Sequence, residues 1–181
     1  MLAVSKDEKR LYVANSGSGT VSTVDLNASP EVSIRNTTVG GTPMGLALSS
    51  DERLLYVANR NGNAVVVVDT GSAAVVDRIE VPGEPVRLAR VPGRRLLLAT
   101  LIASGDAVLI DTEKRRVAER LHVGQRLEGL FVDPSGRRAY VSAQADNRVY
   151  ELSLPGLAKT LSFATADRPD PMLLVPAELG F

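Results

Sequence analysis

Leu54-Leu55-Tyr56-Val57-Ala58-Asn59 is the stretch whose reading decides the fold. It has strand-forming character, with polar Ser50-Asp51-Glu52-Arg53 before it and the turn sequence Arg60-Asn61-Gly62-Asn63 after it. The same unit returns as Arg10-Leu11-Tyr12-Val13-Ala14-Asn15, Arg95-Leu96-Leu97-Leu98-Ala99-Thr100 and Arg138-Ala139-Tyr140-Val141-Ser142-Ala143. Its spacing is regular: Val39, Val81, Val123 and Thr165 lie 42 residues apart, as do Gly45, Arg87, Gly129 and Pro171. A repeat of this length marks one supersecondary unit whose apolar face is buried by its neighbours.

Each repeat divides into four strand-like runs. In the second they are Leu46-Ala47-Leu48, Leu54 to Ala58, Ala64 to Val68 and Val75 to Val81. Asn61-Gly62 is expected to supply the left-handed residues of a tight hairpin between the second and third runs. Asp25, Asp69 and Asp111 recur at the end of the third run, where a carboxylate can cap backbone N–H groups of a turn. The second and third runs are apolar on both faces, as strands covered from both sides must be. The fourth carries charge (Asp77, Arg78, Glu80; Arg116, Glu119, Arg120) and reads as an outer edge facing water. The expected fold is therefore all-β: a β-propeller of four-stranded antiparallel blades, about four of them present. One propeller region spans 1–181, with repeats at approximately 1–44, 45–86, 87–129 and 130–171 and a partial fifth at 172–181.

Composition bounds the function classes. Hydrophobic residues make up 44% and charged residues 23%, a globular balance. The net charge is zero, with 21 basic and 21 acidic residues, so no bulk pull toward nucleic acid is expected. Cysteine is absent and His122 is the only histidine, which disfavours thiolate or histidine metal sites; no metal or cofactor is expected. No apolar run reaches the roughly 18 residues that a membrane helix needs.

Tyr12-Val13-Ala14-Asn15 and Tyr56-Val57-Ala58-Asn59, with the Gly41-Thr42-Pro43-Met44-Gly45 approach and Asn63-Ala64-Val65-Val66-Val67-Val68-Asp69-Thr70, resemble the YVTN-type repeats of the bacterial and archaeal YncE-like propellers. The absence of Trp and the single His separate it from the WD40 repeats of similar architecture. The resemblance implies a funnel-shaped ring, commonly seven-bladed, in the periplasm or at the cell surface. Some relatives are enzymes bearing haem, copper or tryptophan-derived cofactors, whose ligands this chain lacks. The third repeat departs from the pattern at Leu97-Leu98-Ala99-Thr100, without the tyrosine.

Both ends are expected to cut through a blade, at Leu2-Ala3-Val4 and Met172-Leu173-Leu174-Val175. An arc of four blades exposes two apolar faces. Further blades of a longer chain would cover them, two copies could pair them into an eight-bladed homodimer, or four blades could close alone.

Candidate functional residues lie where the repeat fails. Arg87 and Arg90 stand where the neighbouring blades have Gly45 and Leu48, and Gly129 and Val132. A guanidinium near the channel needs a carboxylate, carbonyls, water or a ligand. Arg126 and Glu128 in the following loop are its expected neighbours, and the four residues together are the candidate site. Residues 87 to 129 hold nine basic and five acidic residues, against three and six in 45 to 86. Three readings follow for the arginines: joining blades through Glu84 or Glu128, gripping a small anion such as a carboxylate or phosphate, or standing in solvent with no role. Tyr12, Tyr56 and Tyr140 read as packing between blades. The leading function is a non-catalytic module binding a protein or small anionic ligand through its loop face and channel. A lactonase-like or cofactor-bearing propeller enzyme is the alternative, and nucleic-acid binding is a weaker one.

Overall fold

The computed structural model describes residues 1–28 and 33–170. The expected fifth-repeat strand from Met172 lies outside them. Sixteen strands form four antiparallel sheets. Blade 1 contains β1 (Leu2–Val4), β2 (Arg10–Asn15), β3 (Thr20–Asp25) and β4 (Ser33–Thr38). Blade 2 contains β5 (Pro43–Leu48), β6 (Leu54–Asn59), β7 (Ala64–Asp69) and β8 (Val75–Glu80). Blade 3 contains β9 (Pro85–Arg90), β10 (Leu96–Leu101), β11 (Asp106–Asp111) and β12 (Arg116–His122). Blade 4 contains β13 (Leu127–Val132), β14 (Arg138–Ala143), β15 (Arg148–Ser153) and β16 (Ala158–Ala164). Within every blade the strands pair in chain order.

The core is three layers between blades. Tyr12 and Val21 of blade 1 pack against Leu46, Leu55, Val57 and Val66 of blade 2. Tyr56, Val65, Val67 and Ile79 meet Leu88, Leu97, Ala99 and Val108 of blade 3. Leu98, Ala107 and Leu109 meet Leu127, Ala139 and Val141 of blade 4. Alternation along β6 and β7 sends successive side chains to opposite layers, so both central strands are apolar throughout. The first strands are innermost, β5 packing on β9 and β9 on β13. There Gly45 lies so close to the backbone of β9 that a Cβ would fall 2.8 Å from the Val86 carbonyl oxygen.

Three expectations change on contact with the structure. The hairpin between β6 and β7 is a four-residue connection, in which the Asn63 N–H reaches the Arg60 carbonyl and Asn63 itself has φ 47°. Asn61 and Gly62 are not its left-handed residues. The longer loop ends in a single left-handed position, filled in turn by Gly19, Asn63, Gly105 and Asn147. The charged fourth strands also do more than face water. Arg78 Nη2 donates to the Val39 carbonyl (3.0 Å) and Arg120 Nη2 to the Pro82 carbonyl (2.8 Å), each stapling its blade to the chain leaving the previous one.

Third, Tyr140 is only partly buried, whereas Tyr12 and Tyr56 are 2% and 4% exposed. Its position in the blade is theirs, but it lies on the face of blade 4 that no described blade covers. There it stacks on Phe131 and donates a 2.8 Å hydrogen bond to Glu151. On the same face Phe163 is 44% exposed, while its repeat mate Ile79 is 2% exposed. The outer face of blade 1 behaves alike: Leu2 is 64% exposed and its mate Leu46 7%. The four blades thus form an open arc among the described residues.

Two predictions follow from this packing. Tyr56→Ala should cost about 3 kcal/mol in urea unfolding, and Tyr140→Ala about 1 kcal/mol, because a partly exposed ring leaves a smaller void. Equal losses would contradict the open-arc reading. Secondly, capping hydrogen bonds hold Asp7, Asp51, Asp69, Asp111 and Asp133 below the usual carboxylate value: Ser hydroxyls lead at Asp7, Asp51 and Asp133, and turn N–H groups at Asp69 and Asp111. Groups depressed on folding stabilise fully above their unfolded value of 3.8, and that contribution is lost as pH falls through the lower folded values. The melting temperature should therefore fall as pH drops below about 4, less steeply in Asp69→Asn.

Candidate functional site

The loops between second and third strands and those between blades meet at one end of the arc, tied by backbone hydrogen bonds. Arg60 N–H donates to the Thr42 carbonyl, Ile102 N–H to Glu84 and Gln144 N–H to Arg126. Glu84 and Arg126 present their carbonyls from left-handed backbone with φ 61° and 56°, and Arg168, at the next 42-residue interval, has the same conformation with φ 52°. A non-glycine residue pays for this conformation, by about 1 kcal/mol or more. Side chains hold the same loops. The fully buried Asn59 accepts from Thr42 and Gly62 N–H and donates to the Val39 and Gly40 carbonyls. Asn63 Oδ1 accepts from Gly83 and Glu84 N–H, and Asn147 Oδ1 from Arg168 N–H.

The four sequence-predicted residues divide into two places. Arg87, Arg126 and Glu128 come together. Glu128 receives Arg126 Nη2 at 3.6 Å on one oxygen and Arg87 Nη2 at 3.9 Å on the other. Arg87 also stands 3.5 Å from Asp170, and its Nη1 lies 3.1 Å from Met1 Sδ, across the channel. Arg90 is elsewhere. Arg87 pairs in register with Thr100 and Arg90 with Leu97, so the two arginines leave opposite faces of β9. Arg90 turns toward blade 2, at the opposite end of the arc from the joined loops. Glu84, an expected partner of these arginines, instead takes Arg60 Nε at 2.8 Å.

Arg126 is the member best placed to meet a ligand. Its Nε donates to Gln144 Oε1 at 2.8 Å and Glu128 steadies its other end, while the side chain remains 59% exposed. It borders two clefts. One, of about 410 Å³, is lined by Arg126, Gln144, Ala145, Asn147, Asp167 and Arg168. The other, of about 260 Å³, runs from Arg126 past Gln125 and Gly124 to Ser104 and His122. His122 does not stand alone: its Nδ1 is 3.0 Å from Asp106 Oδ1, and Arg120 holds the other oxygen at 2.8 Å. Among the described residues no three His, Cys, Asp or Glu side chains converge as a metal-binding group. Sequence reasoning placed Gln144, Asn147 and Arg168 in the loops of the expected binding face, at 144–147 and 166–170, without singling them out. The 42-residue interval from Arg126 to Arg168 was the available signal, but each lies in a loop where charge is unremarkable.

A family model described as lactonase, 7-bladed β-propeller matches residues 1–84, the first two blades. Among solved structures, hydrazine synthase of Kuenenia stuttgartiensis aligns with a TM-score of 0.68 and 20% identity, over 94% of this chain and 75% of that one. A functionally unknown protein from Desulfotomaculum acetoxidans DSM 771 aligns with a TM-score of 0.82 and 15% identity, over 96% of this chain and 58% of that one. The chain is a β-propeller. At such identities these structures show the fold alone, and no curated protein matches the chain. The propeller's loop end, rather than any borrowed active site, must therefore carry the functional argument.

Asn59→Ala should destabilise this propeller by about 2 kcal/mol, because two turn N–H groups and two carbonyls lose their partner in a dry site. Asn59→Asp should not restore it, since a carboxylate cannot donate to the Val39 and Gly40 carbonyls. Chemical denaturation of the three proteins measures both effects.

Proposed function

We propose that this propeller is a non-catalytic binding module of the YVTN-type, YncE-like group, whose loop face takes a small anionic ligand. The family reading is supported by the first two blades, where Tyr12 and Tyr56 occupy equivalent buried positions between blades. The observation that carries the ligand class is Arg126. Its guanidinium is pre-oriented by Gln144 and Glu128, yet exposed at the border of two clefts, and Arg168 lines the larger one with it. A held guanidinium grips a carboxylate or phosphate with little further loss of freedom. Arg87 stands behind Glu128 and partly neutralises it, so that Glu128 fixes Arg126 without cancelling its charge. Asp167 shares the cleft wall with Arg126 and Arg168, which leaves the lining one net positive charge.

The larger cleft has room for an organic acid, and citrate is a suitable probe. Calorimetry should detect citrate binding at low ionic strength, weakened about tenfold or more in Arg126→Gln, as expected for one charge-assisted contact of roughly 1.5–3 kcal/mol. Equal binding by the variant would overturn the assignment. Nucleic acid binding at the same face would instead show a steep loss of affinity with salt.

A second reading is lactone hydrolysis, favoured by the family match over residues 1–84. Acid release from a panel of γ- and δ-lactones, followed at constant pH, tests it. Turnover that survives purification and exceeds the protein-free rate would replace the binding-module reading.

A further inference from the structure

A small recess lies at the other end of the arc, between blades 2 and 3, with Leu96 and Leu97 of β10 in its wall. It is a pocket of about 60 Å³ into which Arg90 projects beside Arg94, Ser50, Tyr56 and Thr112. Arg90 is the last residue of β9 and shares the blade-2 side of that strand with buried Leu88. At its repeat position the neighbouring blades carry Leu48 and Val132, so blade 3 alone of these places a charge where the pattern asks for an aliphatic residue.

Among the described residues neither Arg90 nor Arg94 pairs with a carboxylate, whereas Arg95 on the same rim pairs with Glu113. Asp51 belongs to the turn that contributes Ser50, but its Oδ1 already accepts from Ser49 Oγ and Arg53 N–H. Of the hydroxyls around the pocket, those of Ser49, Tyr56 and Thr112 are engaged within the protein, and that of Ser50 is free among the described residues. Tyr56 is 4% exposed, with the Thr112 hydroxyl beside its own. Thr112 Oγ1 donates to the Arg95 carbonyl. Partly burying a guanidinium without an anion is costly, and packing alone does not require it here, since leucine and valine serve in the other blades.

We propose that this pocket binds a tetrahedral oxyanion of the phosphate or sulfate class, held by the Arg90 and Arg94 guanidiniums, with the Ser50 hydroxyl as a further donor. Two guanidiniums and a hydroxyl offer such an anion both positive charge and hydrogen-bond donors. The pocket admits a single such group, free or terminating a monoester, and is too small for the organic acid proposed for the loop face. Its lining comes from the β5–β6 turn, β6, β9, the β9–β10 turn and the β11–β12 turn, so a bound anion clamps blade 2 to blade 3.

The test uses the intact chain and inorganic phosphate, with sodium chloride at matched ionic strength as control. In the Arg126→Gln protein, where the loop-face guanidinium is gone, calorimetry should show phosphate binding one site, and the melting temperature should rise with phosphate beyond the chloride control, as mass action on the folded state requires. Arg90→Leu restores the residue of the neighbouring repeat and should fold; it should bind phosphate at least tenfold more weakly and lose the thermal response. Arg94→Gln should weaken binding less. Phosphoserine, compared with phosphate, distinguishes a monoester site from a free-ion site. Arg126→Gln should leave phosphate binding intact, which separates this pocket from the loop-face site. Equal phosphate affinity in wild type and Arg90→Leu, or a thermal shift no larger than that of chloride, would overturn the proposal.

Discussion

The structure depends on one constraint: a blade is apolar on both broad faces and has no core of its own. Blade 2 shows the consequence. Leu55, Val57, Val66 and Val68 face blade 1, while Tyr56, Val65 and Val67 face blade 3, so the central strands are sealed from both sides. Burial of this kind is worth about 25 cal/mol per Å² of apolar surface, and most of it is available only when a neighbour is present. The stability of each blade is therefore borrowed from the next. The covering of Tyr12 and Tyr56 and the partial exposure of Tyr140 are one rule seen from inside and from the edge.

Sheet packing is non-directional, and polar contacts give the arc its register. Asn59, Asn63 and Asn147 satisfy loop N–H groups, and Arg78 and Arg120 reach back to carbonyls beside the preceding blade. These bonds lie where the chain passes between blades, where unsatisfied backbone groups would otherwise be most costly. The left-handed residues at 84 and 126 follow from the same demand, since that backbone turns a carbonyl toward the neighbouring hairpin. At Arg126 this has a chemical consequence: a structural turn places a guanidinium on an exposed rim with Gln144 and Glu128 already holding it.

Charge in blade 3 is distributed by the same geometry. Its excess of basic residues does not make a continuous stripe. Arg87 is drawn into the channel by Glu128 and Asp170, Arg120 is spent on Asp106 and the Pro82 carbonyl, and Arg115 pairs with Asp77 of blade 2. What remains is local charge at opposite ends of the blade, around Arg126 at the joined loops and around Arg90 and Arg94 at the other turns. Such an arrangement suits small anions bound one at a time better than a polyanion laid across a surface.

The repeat itself was legible in the residues. The recurrence of Leu54 to Asn59, apolar pairs of central strands and aspartates at turn ends determine four-stranded blades, because a period-two pattern and a fixed interval leave few alternatives. Also visible were Arg87 and Arg90, as departures from that interval, and Arg126 and Glu128, as their expected neighbours in the next loop. Their grouping was not. Arg87 and Arg90 are three residues apart on a strand, and alternation sends them to opposite faces, which only the register with Thr100 and Leu97 makes definite. The partners of Arg126 come from residues 128 and 144, and the second arginine of its cleft from 168; no local pattern links these positions. Sequence determined what a blade is, because each strand's pattern is a local property. Tertiary structure decided which charges meet, because that depends on which faces the packing of neighbouring blades leaves open.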